Sequence, residues 1–146
     1  MTLKDILSAK GDAVEKITSD RPLDEVARRL IEKNVGSLIV YEADASGDER
    51  VLGIITERDI TRVCAKGECS LCDLTVASIM TTDLVTGSLD DKVENVMGLM
   101  TERRFRHLPI LSEGRLVGLI SIGDLVKAQY DRLAMENRFM KDYIRG

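Results

Sequence analysis

The sequence predicts an α/β (α+β) fold made of two β-α-β-β-α repeats, and three observations carry that prediction. One seven-residue pattern occurs twice, as Gly53-Ile54-Ile55-Thr56-Glu57-Arg58-Asp59 and as Gly118-Leu119-Ile120-Ser121-Ile122-Gly123-Asp124. Each copy reads Gly, two apolar residues, a hydroxyl residue, two variable residues and Asp, and the second copy lies 65 positions after the first. Upstream, Leu30 to Val40 aligns with Met100 to Ile110 at an offset of 70, so the repeat is long and its first hairpin is five residues longer than its second. In both copies, apolar residues at helical spacing give way to short apolar, β-branched runs.

An N-terminal segment, 1–16, carries Leu3, Ile6 and Leu7 at the spacing of a short amphipathic helix over residues 1–9. The first repeat spans 17–66. Ile17-Thr18 forms a short strand, punctuated by Asp20-Arg21-Pro22. Leu23, Val26, Ala27, Leu30 and Ile31 give a one-faced helix. Asp24 and Glu25 sit in its first turn, where the macrodipole favours anions, and Asn34 and Gly36 lie near its end. Ser37 to Tyr41 is a strand, 42–50 a polar, turn-rich loop, and Val51 to Ile55 the returning strand. Thr56 is an N-cap with Asp59 three residues on, and the helix after it runs to about Ala65. Residues 67–81 form a linker.

In the second repeat, 82–127, Asp83 to Thr86 is expected to begin a strand. Asp90 or Asp91 is expected to open a helix carrying Val93, Val96, Met97 and Met100, closed by the cations Arg103 and Arg104. His107 to Leu111 and Leu116 to Ile120 form a hairpin around Ser112-Glu113-Gly114-Arg115. Ser121 caps the last helix, expected to run to about Tyr143, with 128–146 as its extension beyond the repeat.

A single half of this size buries too little apolar surface to be stable alone, so the halves are expected to pack face to face. With 44% hydrophobic residues, 3% aromatic and no Trp, the core is aliphatic. The net charge of −4 offers no basic footprint for nucleic acid. No apolar run approaches the ~18 residues of a spanning helix. The N-terminus has no signal-peptide core, so the expectation is a cytoplasmic protein without membrane contact. Three Cys, an odd number, fit a reducing compartment.

Together these features resemble the CBS domain, the module named after cystathionine β-synthase, here as a tandem pair. The resemblance rests on Leu99-Met100-Thr101-Glu102-Arg103-Arg104, on His107-Leu108-Pro109-Ile110, on the two Gly-x-x-(Ser/Thr)-x-x-Asp turns, and on Ile79-Met80-Thr81, which is similar to the start of a second repeat. It covers roughly residues 6–126 and points to small bacterial stand-alone pairs with no attached catalytic domain. It implies repeats packed in pseudo-twofold fashion as a CBS pair. It further implies a regulatory sensor that binds an adenosine-containing ligand (AMP, ADP, ATP, NAD or S-adenosylmethionine) in clefts between the repeats, assembles as a homodimer and reports to an unidentified regulated protein. Two departures make the two sites unequal. Ile39 stands where the second repeat has Pro109, and Ile122-Gly123 is uncharged where the first has Glu57-Arg58.

The residues suit such a ligand chemically. The carboxylates of Asp59 and Asp124 offer paired acceptors for the ribose hydroxyls. Thr56 and Ser121 stand at helix N-termini, which attract phosphate. Ser37, Leu38 and Val40 in one repeat, and His107, Leu108 and Pro109 in the other, supply strand backbone and apolar surface for the base. Pro109 lacks an N–H and so implies an edge or opening. Thr18 and Thr86 complete the walls. Arg58 in the first turn, and Arg106 or Arg104 in the second, are the cations for a phosphate. Blander roles stand beside these. Ser/Thr-x-x-Asp is also a plain helix cap, Arg103 to Arg106 suits a solvated helix C-terminus, and His107 suits a packed strand.

Cys64, Cys69 and Cys72 are spaced C-x4-C-x2-C, which lacks the fourth ligand of a ferredoxin-type cluster or a zinc site. No nucleophile–base pair, metal triad or Gly-rich phosphate loop is present, so neither an enzyme, a metal nor a catalytic cofactor is expected. Three functions remain: a nucleotide-sensing regulatory module, a structural dimerisation module without ligand, and a redox or metal sensor acting through the linker cysteines.

Overall fold

The computed structural model describes residues 1–67 and 70–146. Its elements are α1 (Leu3–Lys10), β1 (Lys16–Thr18), α2 (Leu23–Lys33), β2 (Ser37–Ala43), β3 (Glu49–Thr56), α3 (Glu57–Lys66), a 3-10 turn (Leu71–Asp73), α4 (Val76–Ile79), α5 (Val93–Arg103), β4 (His107–Ser112), β5 (Arg115–Ser121) and α6 (Ile122–Arg145). They form two compact units. The first is Ala13–Val85, and the second combines Met1–Asp12 with Thr86–Gly146.

The first unit carries a sheet in the order β1-β2-β3, with β1 parallel and β3 antiparallel to β2. Leu23, Val26 and Leu30 of α2 enter its core with Ile17, Leu38, Val40, Ile55, Ile60, Val63 and Val76. The helix stops at Asn34, whose left-handed backbone (φ 52°) lets its N–H reach the carbonyls of Leu30 and Ile31. The second unit pairs β4 with β5 and buries Leu3, Ile6 and Leu7 of α1 together with Val93, Met100, Leu108, Ile110, Ile120 and Leu125.

Each unit is closed by a segment from the start of the other repeat, held by matching backbone bonds. In the second unit Leu3 N–H donates to Asp91 O (2.9 Å), Lys4 N–H to Leu89 O (3.0 Å) and Val93 N–H to Met1 O (3.1 Å). In the first, Val76 N–H donates to Arg21 O (2.9 Å), Ala77 N–H to Ser19 O (3.0 Å) and Leu23 N–H to Leu74 O (3.0 Å). The linker segment 67–81 thus contains, in α4, the counterpart of α1.

Two expectations are corrected. Asp83 to Thr86 forms no strand, and the counterpart of β1 shrinks to one parallel bridge, Gly87 to Ile110. Residues 83–85 match 13–15, which precede β1 in the first unit, and the loss at Thr86, the match of Lys16, follows from Pro109. In the first unit Ile39 N–H donates to Glu15 O (3.0 Å), while Pro109 at the matching position has no N–H to give. Pro109 itself is buried and stands opposite Leu119 of β5, so the opening it creates lies on one side of β4 only. Nor do Asp90 or Asp91 open α5. Lys92 is its N-cap, and the Asp91 carboxylate accepts the N–H of Ser88 (2.8 Å), closing the turn before the helix.

Both hairpins bulge at the same place, between Val40 and Tyr41 and between Ile110 and Leu111. Opposite the bulges stand Gly53 and Gly118, the first residues of the repeated pattern. A Cβ on Gly53 would lie 2.4 Å from Thr81 O, because Thr81 pairs with Ile54. A Cβ on Gly118 would lie 2.6 Å from a methyl of Leu7 on α1. The motif glycine is therefore the space into which the exchanged segment fits. Gly53→Ala is expected to destabilise by about 1–3 kcal/mol through overpacking against backbone. Gly98→Ala, at an exposed position of α5 with nothing within 4 Å, is expected to stabilise by about 0.5–1 kcal/mol. Urea unfolding checks both, and a neutral Gly53→Ala would mean that residue 81 does not pair with β3.

Candidate functional site: two capped helix starts

The sites follow from how a strand becomes a helix. Thr56 and Ser121 end β3 and β5 with extended backbone (φ −123° and −94°), and each next residue begins a helix. Thr56 Oγ1 accepts the N–H of Asp59 (3.3 Å), and Asp59 Oδ2 accepts the N–H and hydroxyl of Thr56 (2.9 and 3.1 Å). Ser121 Oγ accepts the N–H of Asp124 (3.1 Å), and Asp124 Oδ2 accepts the N–H of Ser121 (2.8 Å). Both turns are thus reciprocal capping boxes. The first helical N–H of each is also engaged, Glu57 to Gly36 O (3.0 Å) and Ile122 to Arg106 O (2.8 Å). Among the described residues the second helical N–H groups, of Arg58 and Gly123, have no such partner. They are the donors each helix start can still offer an anion.

Register brings the strand candidates alongside. Ser37 stands opposite Thr56 and His107 opposite Ser121. Ser37-Thr56-Asp59 and His107-Ser121-Asp124 are therefore equivalent clusters, one in each unit. The side chains of Leu38 and Val40 are in the first unit's core and that of Leu108 is buried, so these positions can offer a ligand only backbone. Thr18, at the end of β1, donates its hydroxyl to Asp20 (2.6 Å). Thr86 is exposed and, by register, matches Lys16 rather than Thr18.

The two clusters differ in charge. In the first, Asp59 is buried, Arg62 Nη1 lies 3.6 Å from its Oδ1, and Arg58 is exposed. In the second, Lys10 at the end of α1 donates to Asp124 Oδ2 (2.6 Å) and to Leu119 O (2.6 Å). Burial raises the Asp124 pKa, but the hydrogen bonds from Lys10 and Ser121 and the Lys10 charge outweigh it and hold the carboxyl below its ordinary value of 3.8. The cation that Ser121-Ile122-Gly123-Asp124 lacks thus comes from Lys10. Arg104 caps α5 in a left-handed conformation (φ 58°), and exposed Arg106 reaches this turn through its carbonyl. Motif spacing could not reveal Lys10, which lies 114 residues from its partner.

Cys64 and Cys72 are exposed free thiols, and Cys69 lies outside the described residues. Among the described residues no cluster of His, Cys, Asp and Glu could hold a metal ion, and no helix is long and apolar enough to cross a membrane.

The family model of the CBS domain matches residues 3–66 and 76–131. The chain belongs to the CBS domain family. Both CBS segments begin with the exchanged helix, α1 or α4, so each repeat lends its first helix to the unit built on the other. The mitochondrial CBS domain-containing protein CBSX3 of Arabidopsis thaliana is 33% identical over 153 residues, covering 99% of this chain and 72% of the relative. The crystal structure of the CBS-domain containing protein ATU1752 from Agrobacterium tumefaciens matches with a TM-score of 0.81 and 37% identity, covering 88% of this chain and 99% of that one. The CBS domain pair of protein MJ0100, described in complex with 5′-methylthioadenosine and S-adenosyl-L-methionine, matches with a TM-score of 0.71 and 26% identity over 90% of this chain and 98% of that one. CBS pairs are regulatory modules. One relative is mitochondrial by name, so membership of the family fixes no compartment.

The Lys10–Asp124 pair makes stability acid-sensitive in a defined window. A carboxyl whose native pKa is lowered adds stability above its unfolded value, and that stability is lost as pH falls from about 3.8 through the native value. Lys10→Met is expected to cost about 0.5–1 kcal/mol at pH 7, as a partly exposed pair should. The part of that cost due to the Asp124 charge should vanish at low pH, where Asp124 is protonated in both proteins, leaving only what the Lys10 bond to Leu119 O contributes. Urea midpoints of the two proteins from pH 7 to pH 2 check this, and a gap that does not narrow with acid would refute the pairing.

Proposed function

We propose that this CBS pair is a non-catalytic regulatory module that binds an adenosine-containing ligand (AMP, ADP, ATP or NAD) at its capped helix starts and signals occupancy to a regulated protein. The observation that carries the reading is the duplicated cluster. Twice, a helix N-terminus, a hydroxyl and a carboxylate meet beside a strand backbone, the donors and acceptors that phosphate and ribose require. The adenosine compounds named with the MJ0100 pair support the choice of ligand class. A homodimer in the cytoplasm is part of the same proposal.

A second reading has its own observation. Lys10 already occupies Asp124, which favours a second turn satisfied by the protein's own side chain, with ligand held at the first turn alone. The ranking follows from charge, since Arg58 stands ready at the first turn whereas a ligand at the second must displace Lys10.

Thermal shift with AMP, ADP, ATP, NAD and S-adenosylmethionine tests the proposal, because a ligand at a hundred times its Kd adds about 2.7 kcal/mol. Asp59→Ala is expected to weaken binding by about 1.5–3 kcal/mol, and Asp124→Ala by less. Both substitutions also remove a cap, so affinity and not the melting baseline is the readout. Absence of any shift at millimolar ligand would defeat the nucleotide reading. Equal loss from both variants would defeat the second.

A further inference from the structure

The last helix is far longer than its counterpart. The helix α6 spans 24 residues where α3 spans 10, and every residue from Tyr130 onward is exposed. That exposed length is not polar. Val126, Tyr130, Leu133, Met140 and Ile144 are 51 to 79% exposed. With Asn137 they fall at alternating intervals of four and three residues, 126-130-133-137-140-144. Such spacing is that of a two-stranded coiled-coil seam, with Tyr130, Asn137 and Ile144 at a and Val126, Leu133 and Met140 at d. The stripe points away from the side α6 turns to its own unit, which is marked by buried Leu125 and by Arg132 reaching Glu94 of α5 (3.3 Å).

We infer that this seam pairs in parallel with the same helix of a second copy of the chain. Charge and polarity choose the occupant and its direction. In a parallel pair Asn137 meets its twin at an a–a layer, where the two amides bond each other and fix the register. The g residue Glu136 meets the partner's e residue Lys141, five positions on, and symmetry makes that contact twice. Antiparallel pairing would set Glu136 beside Glu136 and lysine beside lysine, and would leave Asn137 facing an apolar residue. Glu136 is now bonded to Arg132 of its own helix (3.2 Å), an exposed pair that is cheap to share or replace. Six seam positions are few for a free-standing coil. Here the first turns of α6 are already folded against the unit, so no separate nucleation is required. A second apolar stripe, Met135, Phe139 and Tyr143, follows Arg132 on the face turned to the unit and contains no complementary charge pattern.

This proposal deepens the homodimer reading and does not depend on which nucleotide binds. The test uses the full chain with Cys64, Cys69 and Cys72 replaced by Ser, examined by sedimentation and by disulfide formation under mild oxidation. The parent is expected to sediment as a dimer, Leu133→Cys to form a covalent dimer, and Phe139→Cys to form none. The double substitution Leu133→Asp/Met140→Asp should give a monomer with unchanged far-UV circular dichroism. Glu136→Lys alone should weaken dimerisation about tenfold by replacing two attractions with repulsions, and Glu136→Lys/Lys141→Glu should restore it. A monomeric parent at micromolar concentration would overturn self-association itself. A dimer that survives Leu133→Asp/Met140→Asp, or that cross-links through Phe139→Cys instead, would leave self-association standing and overturn the seam. Failure of the double charge swap to rescue would overturn the parallel register.

Discussion

Each unit depends on a short backbone clamp that its own repeat does not contain. A hairpin with its two helices leaves backbone groups in the turn before the first helix, at Ser19 to Leu23 and at Leu89 to Val93, that must find partners. The partners come from the stretch of chain before the other repeat, at Met1 to Lys4 for one unit and Leu74 to Ala77 for the other. The rest follows from that exchange. It requires a glycine where the incoming segment crosses the hairpin, at Gly53 and Gly118, each three residues before a capped helix start, Thr56 or Ser121. A helix start capped in that way can hold a hydroxyl and a carboxylate in one geometry without a ligand present, so little ordering cost remains for binding.

Much of this was legible in the sequence because it is written in local patterns. The helix caps at Thr56 and Ser121, the hairpins and the length of α6 are all short-range consequences of spacing and turn chemistry. What was missed is long-range. The exchange of α1 and α4 brings together positions scores of residues apart, and no periodicity within either segment announces it. Lys10 belongs to the same class, as a charge whose partner is fixed by tertiary structure alone. The shortened pairing beside β4, where only Gly87 bridges Ile110, is different, because its cause was visible. Pro109 removes the donor that Ile39 supplies, and the loss appears not in the strand carrying the proline but in the neighbour that would have received the bond.

The same physics explains why duplicated turns need not remain duplicated sites. The helix α1 runs eight residues and ends at Lys10, whereas α4 runs four and gives way to the extended pairing of Thr81 with Ile54. Among the described residues, therefore, the exchanged helix reaches the carboxylate only in the second unit, whereas Asp59 meets Arg62 of its own helix. How far this closes the turn is a question of magnitude. Lys10 and Asp124 are both partly exposed (36 and 26% by side chain), and pairs of that kind contribute about 0.2–1 kcal/mol. Displacing Lys10 would then weaken a ligand by no more than about fivefold. A displaced ammonium remains beside the site and can turn to an incoming phosphate, recovering part of that loss. Lys10 is better regarded as setting the relative affinity of the two turns than as blocking one of them.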